Sequence, residues 1–405
     1  MVAPEGIGVS GQEITSTPAS LFCEDESGEE SSGWPWVFGR LARADISTLK
    51  WWLLTRFATA IAVASGAWLL ANGTDKPSGI LSRWLQWDAI NFDVIARFGY
   101  AGDGSRKAPY FEAFFPGFPI TIRPLINLGI PSGLAGLLVS ATALAVAVVA
   151  LRRLGDLEFG PGVGERAALL LMISPWAVFL MAGYSEALFL GFAIPAWLAA
   201  KRGHWGLAGV LAFGASATRV TGLFLAAALI VEFALHARDR RRKWPVLLLP
   251  FASPLLYTVY QHGRTGDWGV WLTAQKLNWN RRFTLPWDAW ETTWRGAFGG
   301  GQETNFIWMW RAELIGAVLA IAVLAWLLWR RRWPESVYVG GQTIALLTSS
   351  YFLSVPRVFL LWWPVWIGLG AWLKTNPAWW PYVVAVFIPL NFALAIAFTQ
   401  GHWAG

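Results

Sequence analysis

Residues 84–119 read WLQWDAINFDVIARFGY (Trp84–Tyr100), AGDGSRKAPY (Ala101–Tyr110) and FEAFFPGFP (Phe111–Pro119). The stretch is too polar to cross a bilayer, yet one strongly apolar segment precedes it and many follow. Asp88 stands directly after Trp87 within it. A carboxylate at the mouth of a membrane bundle stays ionised cheaply, whereas inside lipid it would cost about 3 kcal/mol even on the gentler insertion scales. Asp88 is therefore placed for chemistry at a membrane surface.

Composition agrees with that setting. Apolar residues make up 55% of the chain and charged residues 14%, and the mean hydropathy is +0.44, far from an ordinary soluble domain. Many of the 29 tryptophans fall near segment ends, where indole prefers the lipid–water boundary. One cysteine in 405 residues, Cys23, excludes an internal disulfide framework and a cysteine-based metal site. The four histidines, His204, His236, His262 and His402, show no ligand spacing, and no Asp-x-Asp pair is present to hold a divalent ion beside a nucleotide sugar. No metal or other cofactor is expected, and nothing points to nucleic acid.

Residues 1–33 carry seven acids, no base and much Ser, Gly and Pro. Such a segment cannot bury enough apolar surface to offset its ordering entropy, so it is expected to be a disordered acidic cytoplasmic tail. It has the wrong charge for a signal peptide, and the first span is expected to be retained. The remainder, 34–405, reads as one integral membrane domain with 32 bases against 18 acids.

Segments near the length of a span, about 20 residues or somewhat fewer in a bundle, are 49–71, 132–151, 166–182, 185–200, 205–235, 244–261, 308–329, 337–353, 357–373 and 379–399. The 205–235 stretch is too long for one span and has Arg219 at its centre, so two short helices in a hairpin are expected. Basic clusters at Arg40/Arg43/Lys50, Arg152/Arg153, Lys201/Arg202, Arg238–Lys243, Arg330–Arg332 and Lys374 are cytoplasmic by the positive-inside rule. Alternation from there puts 72–131, Gly183–Glu186, Arg219, 262–307 and Ser354–Arg357 on the opposite face. Residues 113–130, with three prolines and Arg123, read as a re-entrant or short span. The fold expected is an all-α polytopic bundle of about ten to thirteen transmembrane helices.

Within 84–98, Trp84, Trp87, Asp88, Asn91 and Ile95 recur on one face of a helix. Asp93 lies roughly 140° round from Asp88. An interfacial amphipathic helix with a solvated acid fits this spacing as well as a catalytic one does. Arg219 and Arg357 each sit between apolar runs, where an unpaired cation is expensive and a functional role is the default; snorkelling to the headgroups is the alternative. Glu186 opens an apolar helix, where it can serve the helix dipole, pair with Arg219 or bind a sugar hydroxyl. In the tryptophan-rich loop, Arg281, Arg282, Gln275, Asn278 and Asn280 suit phosphate and sugar groups, and simple solvation or interfacial anchoring accounts for them equally.

Several motifs together resemble one family. Trp87–Tyr100 fits W-D-A-x-x-[FY]-x-x-I-A-x-x-G-Y, and Phe114–Pro119 fits FFP-x-[YF]-P. SPWAVFLMAGYSEALFL (Ser174–Leu190), ASATRVTGL (Ala215–Leu223), AQKLNWNRRF (Ala274–Phe283) and SVPRVFLLWWPVW (Ser354–Trp366) follow in order. The set resembles the PIG-V-like mannosyltransferases, polytopic enzymes of the GT-C glycosyltransferase fold, and covers nearly everything after the acidic tail. Asn91-Phe92 departs from the usual histidine or tyrosine, and Pro356–Leu361 departs from the frequent P-R-Y-[LV]-L-P.

The resemblance implies a bacterial-type, multi-pass plasma-membrane protein with its active site in the non-cytoplasmic loops. It would move mannose from polyprenyl-phosphate mannose to a lipid-anchored glycan or glycolipid, with inversion. Asp88 is then the candidate general base. Arg219, Arg357, Arg281 and Arg282 are the candidates for the donor phosphate. Trp87, Asn91, Asp93, Tyr184, Glu186 and Gln275 are the candidates for sugar and substrate. Membrane lipids, the donor and the acceptor are the partners expected. The rival readings are a lipid or sugar flippase, which would show internal repeats, a non-catalytic accessory subunit, and an enzyme using another polyprenyl-phosphate sugar.

Overall fold

A computed structural model describes residues 41–70, 79–237 and 244–405. The acidic tail, Arg40, the bases 238–243 and the first residues of the 72–131 loop, 72–78, lie outside the described residues. Among those described, sixteen α-helices and no β-strand are present. In order they are α1 (Arg43–Leu69), α2 (Asp88–Phe98), α3 (Gly117–Asn127), α4 (Ser132–Phe159), α5 (Val163–Ile173), α6 (Ser185–Lys201), α7 (Trp205–Thr218) and α8 (Gly222–His236). There follow α9 (Leu249–Thr265), α10 (Val270–Trp279), α11 (Pro286–Phe298), α12 (Thr304–Trp329), α13 (Trp333–Leu347), α14 (Val355–Val358), α15 (Trp363–Thr375) and α16 (Trp380–Thr399).

The all-α polytopic class is as expected, but the helices are shorter than the apolar runs. Four are long and apolar enough to cross a bilayer by length and composition: α1, α4, Phe306–Trp329 of α12, and Pro377–Thr399 around α16. A fifth is gained if Val355–Leu361 and Trp363–Thr375, bent by 77°, are one broken span. The other apolar runs among the expected ten to thirteen form shorter helices, of 17 residues or fewer. The physical reason is punctuation within the apolar runs: the 166–182 run stops at Ile173 and resumes as a short 3₁₀ turn, Ala177–Leu180, after Ser174-Pro175. The 205–235 run divides at Arg219 into α7 and α8 of 14 and 15 residues, as its length and central arginine predict. Within 113–130 the helix is α3, of 11 residues, about 16 Å long and too short for a hydrocarbon core.

The long helices α1, α12 and α16 keep apolar side chains outward, with Phe57 62%, Ile315 62% and Val386 54% exposed. In a bilayer those faces meet lipid. Helix α6 is the opposite: Phe189, Leu190, Ala193, Ile194, Trp197 and Leu198 are all fully buried. A helix apolar all round belongs in a bundle centre, and α6 packs there against α4 and α7.

Small residues permit this closeness, as is usual between membrane helices. A Cβ on Gly136 of α4 would stand 2.8 Å from the Cα of Gly183, immediately before Tyr184 and α6. Gly136→Ala therefore pushes the start of α6 outward. The expected cost is about 1–3 kcal/mol, typical of overpacking, read as a lower melting temperature in detergent.

Helix α6 also sets the spacing between two groups of charge. Glu186 stands in its first turn and Lys201 at its end, about 22 Å apart along the axis. At the Lys201 end, Lys201 pairs with Glu232 at 2.9 Å, and Arg332 pairs with Glu158 and Glu335 at 2.5 Å each. Arg152 and Arg153 close on the fully buried Asp45 at 2.6 and 2.8 Å. Of the described bases whose clustering suggested one membrane face, Arg152, Arg153, Lys201 and Arg332 are thus ion-paired.

Candidate active site

At the Glu186 end, parts distant in sequence converge. Glu186 is 1% exposed, and its Oε1 accepts from Arg219 Nη1 at 2.7 Å, from Arg357 Nε at 2.7 Å and from Arg357 Nη2 at 2.5 Å. Arg219 Nη1 also donates to Ser185 Oγ at 2.8 Å. Arg357 lies over two rings, with its Cζ 4.2 Å from the Phe179 centroid and 4.7 Å from that of Tyr184, the stacking a guanidinium favours. Its Nη1 then reaches Asp88 Oδ2 at 3.7 Å. The Asp88 side chain keeps 26% exposure, making it the more accessible of the two carboxylates.

Local structure explains how Asp88 is presented. Trp87 adopts φ 52° and ψ −119°, a conformation bulky residues seldom take. The Tyr184 hydroxyl clasps this kink, accepting the Asp88 backbone N–H at 3.2 Å and donating to the Gln86 carbonyl at 3.2 Å. The Trp87 ring meets Trp403 edge-on at 5.3 Å. Because of the kink, α2 begins at Asp88, and Trp84 sits on a separate 3₁₀ turn, Ser82–Trp84. The single helix expected over 84–98 is corrected accordingly. Asp88 gains the first-turn position, where the helix dipole favours a negative charge.

Burial pushes the Asp88 carboxyl above the ordinary carboxylate range. Arg357 opposes that shift, Glu186 adds to it, and Arg219 and Arg281 oppose it again. The raised value has a consequence for activity if Asp88 works ionised. The acid limb of a kcat/KM profile should then lie above the usual range for a surface aspartate, with activity falling as pH drops through it. An Arg357→Gln variant removes the largest opposing charge and should move that limb further up.

Arg281 comes to the same site from the tryptophan-rich loop. Its Nη2 donates to the Leu353 carbonyl at 3.2 Å, while its buried Nε makes no hydrogen bond. Arg219 and Arg357 share the Glu186 carboxylate, and of the three guanidiniums Arg281 is the one with a buried nitrogen that makes no hydrogen bond.

Other sequence candidates are placed elsewhere. Asp93 pairs with Arg97 one helical turn on, at 2.7 Å, and separates from Asp88 as its angular offset predicts. Arg282 is exposed and bonds Asn280 Oδ1 at 2.9 Å, which removes it from the group. Gln275 spends its amide on the Ala113 carbonyl at 3.5 Å. It belongs to an interlock of the two loops, with Trp271 Nε1 on the same carbonyl at 3.2 Å and the Trp279 ring 5.1 Å from Tyr110. Asn91 is buried at 5% on α2. Sequence reasoning missed Ser185, Phe179 and Glu313. Of these Glu313 carried a signal, as a lone acid in an apolar run.

Residues 66–238 match the family model described as Mannosyltransferase (PIG-V), an interval holding Asp88, Tyr184, Glu186 and Arg219. The GPI alpha-1,6-mannosyltransferase 2 of Cricetulus griseus is 38% identical over 175 residues, covering 40% of this chain and 33% of that protein. The Homo sapiens protein of the same name is 37% identical over 174 residues, covering 40% and 32%. A GPI mannosyltransferase 2 from Chaetomium globosum is 34% identical over 155 residues, covering 31% of each. The chain thus spans about a third of the length of the curated relatives it matches.

Proposed function

We propose that the chain is a PIG-V-like mannosyltransferase, the family whose model matches residues 66–238, and that it transfers mannose from polyprenyl-phosphate mannose to a lipid-anchored glycan or glycolipid acceptor. The observation carrying this reading is the accessible Asp88 carboxylate, held 3.7 Å from an arginine that is itself locked on buried Glu186.

The chemistry needs one base and preorganised positive charge. An acceptor hydroxyl attacks the anomeric carbon as the bond from that carbon to the phosphate oxygen breaks. Asp88 takes the hydroxyl proton, and the bonding pair leaves with the polyprenyl phosphate. Attack opposite the leaving group inverts the centre, so a β-linked donor gives an α-linked product. Arg281 is the principal phosphate ligand in this scheme because its Nε has no protein partner, and Arg357 adds charge from the Asp88 side. A guanidinium fork suits phosphate oxygens and is most effective where water is excluded. Glu186 offsets the repulsion between the part-exposed Arg219 and the buried Arg357 and leaves Arg357 aimed at Asp88.

The site would open on the non-cytoplasmic face. This rests on the alternation of basic clusters, since Lys201 and Glu186 lie at opposite ends of α6.

The reading is tested with the purified chain in proteoliposomes, supplied with labelled polyprenyl-phosphate mannose and glycolipid acceptors. Acceptor-dependent appearance of an α-mannosyl product is the expected result. Movement of label across the vesicle without a new glycosidic bond would instead identify a transporter.

A further inference from the structure

Arg357 is delivered to Asp88 by a turn whose geometry another element imposes. Ser354, just before α14, adopts φ 63°, a left-handed conformation that a residue other than glycine holds only when its surroundings require it. The requirement comes from α12. Glu313 there is 5% exposed, and its two carboxylate oxygens accept the backbone N–H groups of Ser354 at 2.6 Å and Val355 at 2.8 Å. One turn further along α12, Gly316 leaves room for Pro356, whose Cγ would stand 2.9 Å from a Cβ at that position. From the other side Arg281 grips the Leu353 carbonyl at 3.2 Å. Leu353, Ser354, Val355 and Pro356 are thus fixed in succession, and Arg357 is the next residue.

Glu313 does not reach the reacting groups. Its two carboxylate oxygens accept the two amides, and beyond that its charge acts on Arg281 and Arg357 only through space. We propose that Glu313 is the positioning residue of this site: by clamping the Ser354–Val355 amides it fixes α14 so that the Arg357 guanidinium stands between Glu186 and Asp88. The catalytic consequence rests on the mannosyl-transfer reading above; the clamp itself does not.

Two amide bonds to a buried carboxylate are charge-assisted and costly to leave unmade. Losing them frees Ser354 to return to an ordinary conformation and lets Arg357 drift. The groups that face Asp88 are Arg357 from α14, Glu186 from α6, Tyr184 just before α6, Arg219 after α7 and Arg281 from the loop. Of these Arg357 opposes the upward shift of Asp88 most strongly, so its withdrawal moves the acid limb of activity to higher pH. Removal of the Glu313 charge alone, with Arg357 undisturbed, would act in the opposite direction.

The experiment uses the full chain in lipid vesicles with Glu313→Gln, Glu313→Asp and Glu313→Ala. Hydrogen exchange of the peptide 352–358 is expected to accelerate about tenfold or more in Glu313→Ala and less in Glu313→Asp, the scale of losing strong amide bonds. With polyprenyl-phosphate mannose, Glu313→Gln is expected to lower kcat about tenfold or more and to raise the acid limb, with partial rescue in Glu313→Asp. Unchanged exchange at 352–358 in a folded Glu313→Ala protein overturns the clamp. A fall in melting temperature with an unmoved acid limb in Glu313→Gln overturns the positioning role and leaves a structural one. If the wild type transfers no mannose, the mannosyl-transfer reading fails while the exchange result still decides the clamp.

Discussion

Glu186→Gln is expected to destabilise the protein by about 3 kcal/mol or more and to remove most activity with it. The substituted carboxylate is 1% exposed and answers two guanidiniums, Arg219 at 2.7 Å and Arg357 at 2.5 Å. Glutamine keeps the shape and loses the charge, leaving the part-exposed Arg219 beside the buried Arg357, with only the looser contact to Asp88 at 3.7 Å to answer them. Breaking a buried ion pair by deleting one partner typically costs about 3–5 kcal/mol, because the survivor remains unsolvated. Here two survivors also repel each other. Adding Arg219→Gln to Glu186→Gln removes one of them and should recover part of the stability. Such a non-additive double-mutant cycle is the signature of shared partners. Activity should not return in the double variant, since Arg357 still lacks the carboxylate that holds it beside Asp88. Melting temperatures in detergent check the first part and transfer assays the second.

Much of this site was legible in the sequence because charges in apolar surroundings are expensive. Arg219 and Arg357 stood out for that reason, and they meet on the one acid at the start of α6. Positive-inside alternation grouped Asp88, Glu186, Arg219, Arg281 and Arg357 before any geometry was available, and all five converge. Less legible were features that depend on local backbone conformation. The helical spacing of Trp84, Trp87 and Asp88 was real as a pattern, yet the Tyr184 hydroxyl holds Trp87 in a kink that starts the helix four residues later than Trp84. Residue type also gave no way to separate Arg281 from Arg282. One turns inward to the Leu353 carbonyl and the other bonds its neighbour Asn280 in the open. Gln275 suited a sugar by chemistry, and its Nε2 meets the Ala113 carbonyl at 3.5 Å between the two loops. Helices came out shorter than the apolar runs where a break such as Ser174-Pro175 divides a run in a way that apolar composition does not reveal.

Asp88→Asn bears on the central claim with the least structural disturbance. Asparagine matches aspartate in shape, the Asp88 backbone N–H to Tyr184 is kept, and the side chain is 26% exposed and only loosely paired with Arg357 at 3.7 Å. The variant should therefore fold with little change in melting temperature. What it loses is proton affinity. An amide cannot take the acceptor's proton as the glycosidic bond forms, and losing a general base costs about 100-fold or more, equivalent to about 2.7 kcal/mol in the barrier. Donor affinity should be nearly unchanged, since the phosphate is assigned to arginines that remain. The direct measurement is single-turnover mannosyl transfer in proteoliposomes, wild type against Asp88→Asn, at saturating polyprenyl-phosphate mannose and glycolipid acceptor. A wild-type α-mannosyl product with a fall of about 100-fold or more in the variant is the result this account predicts; transfer at an undiminished rate by Asp88→Asn would contradict it.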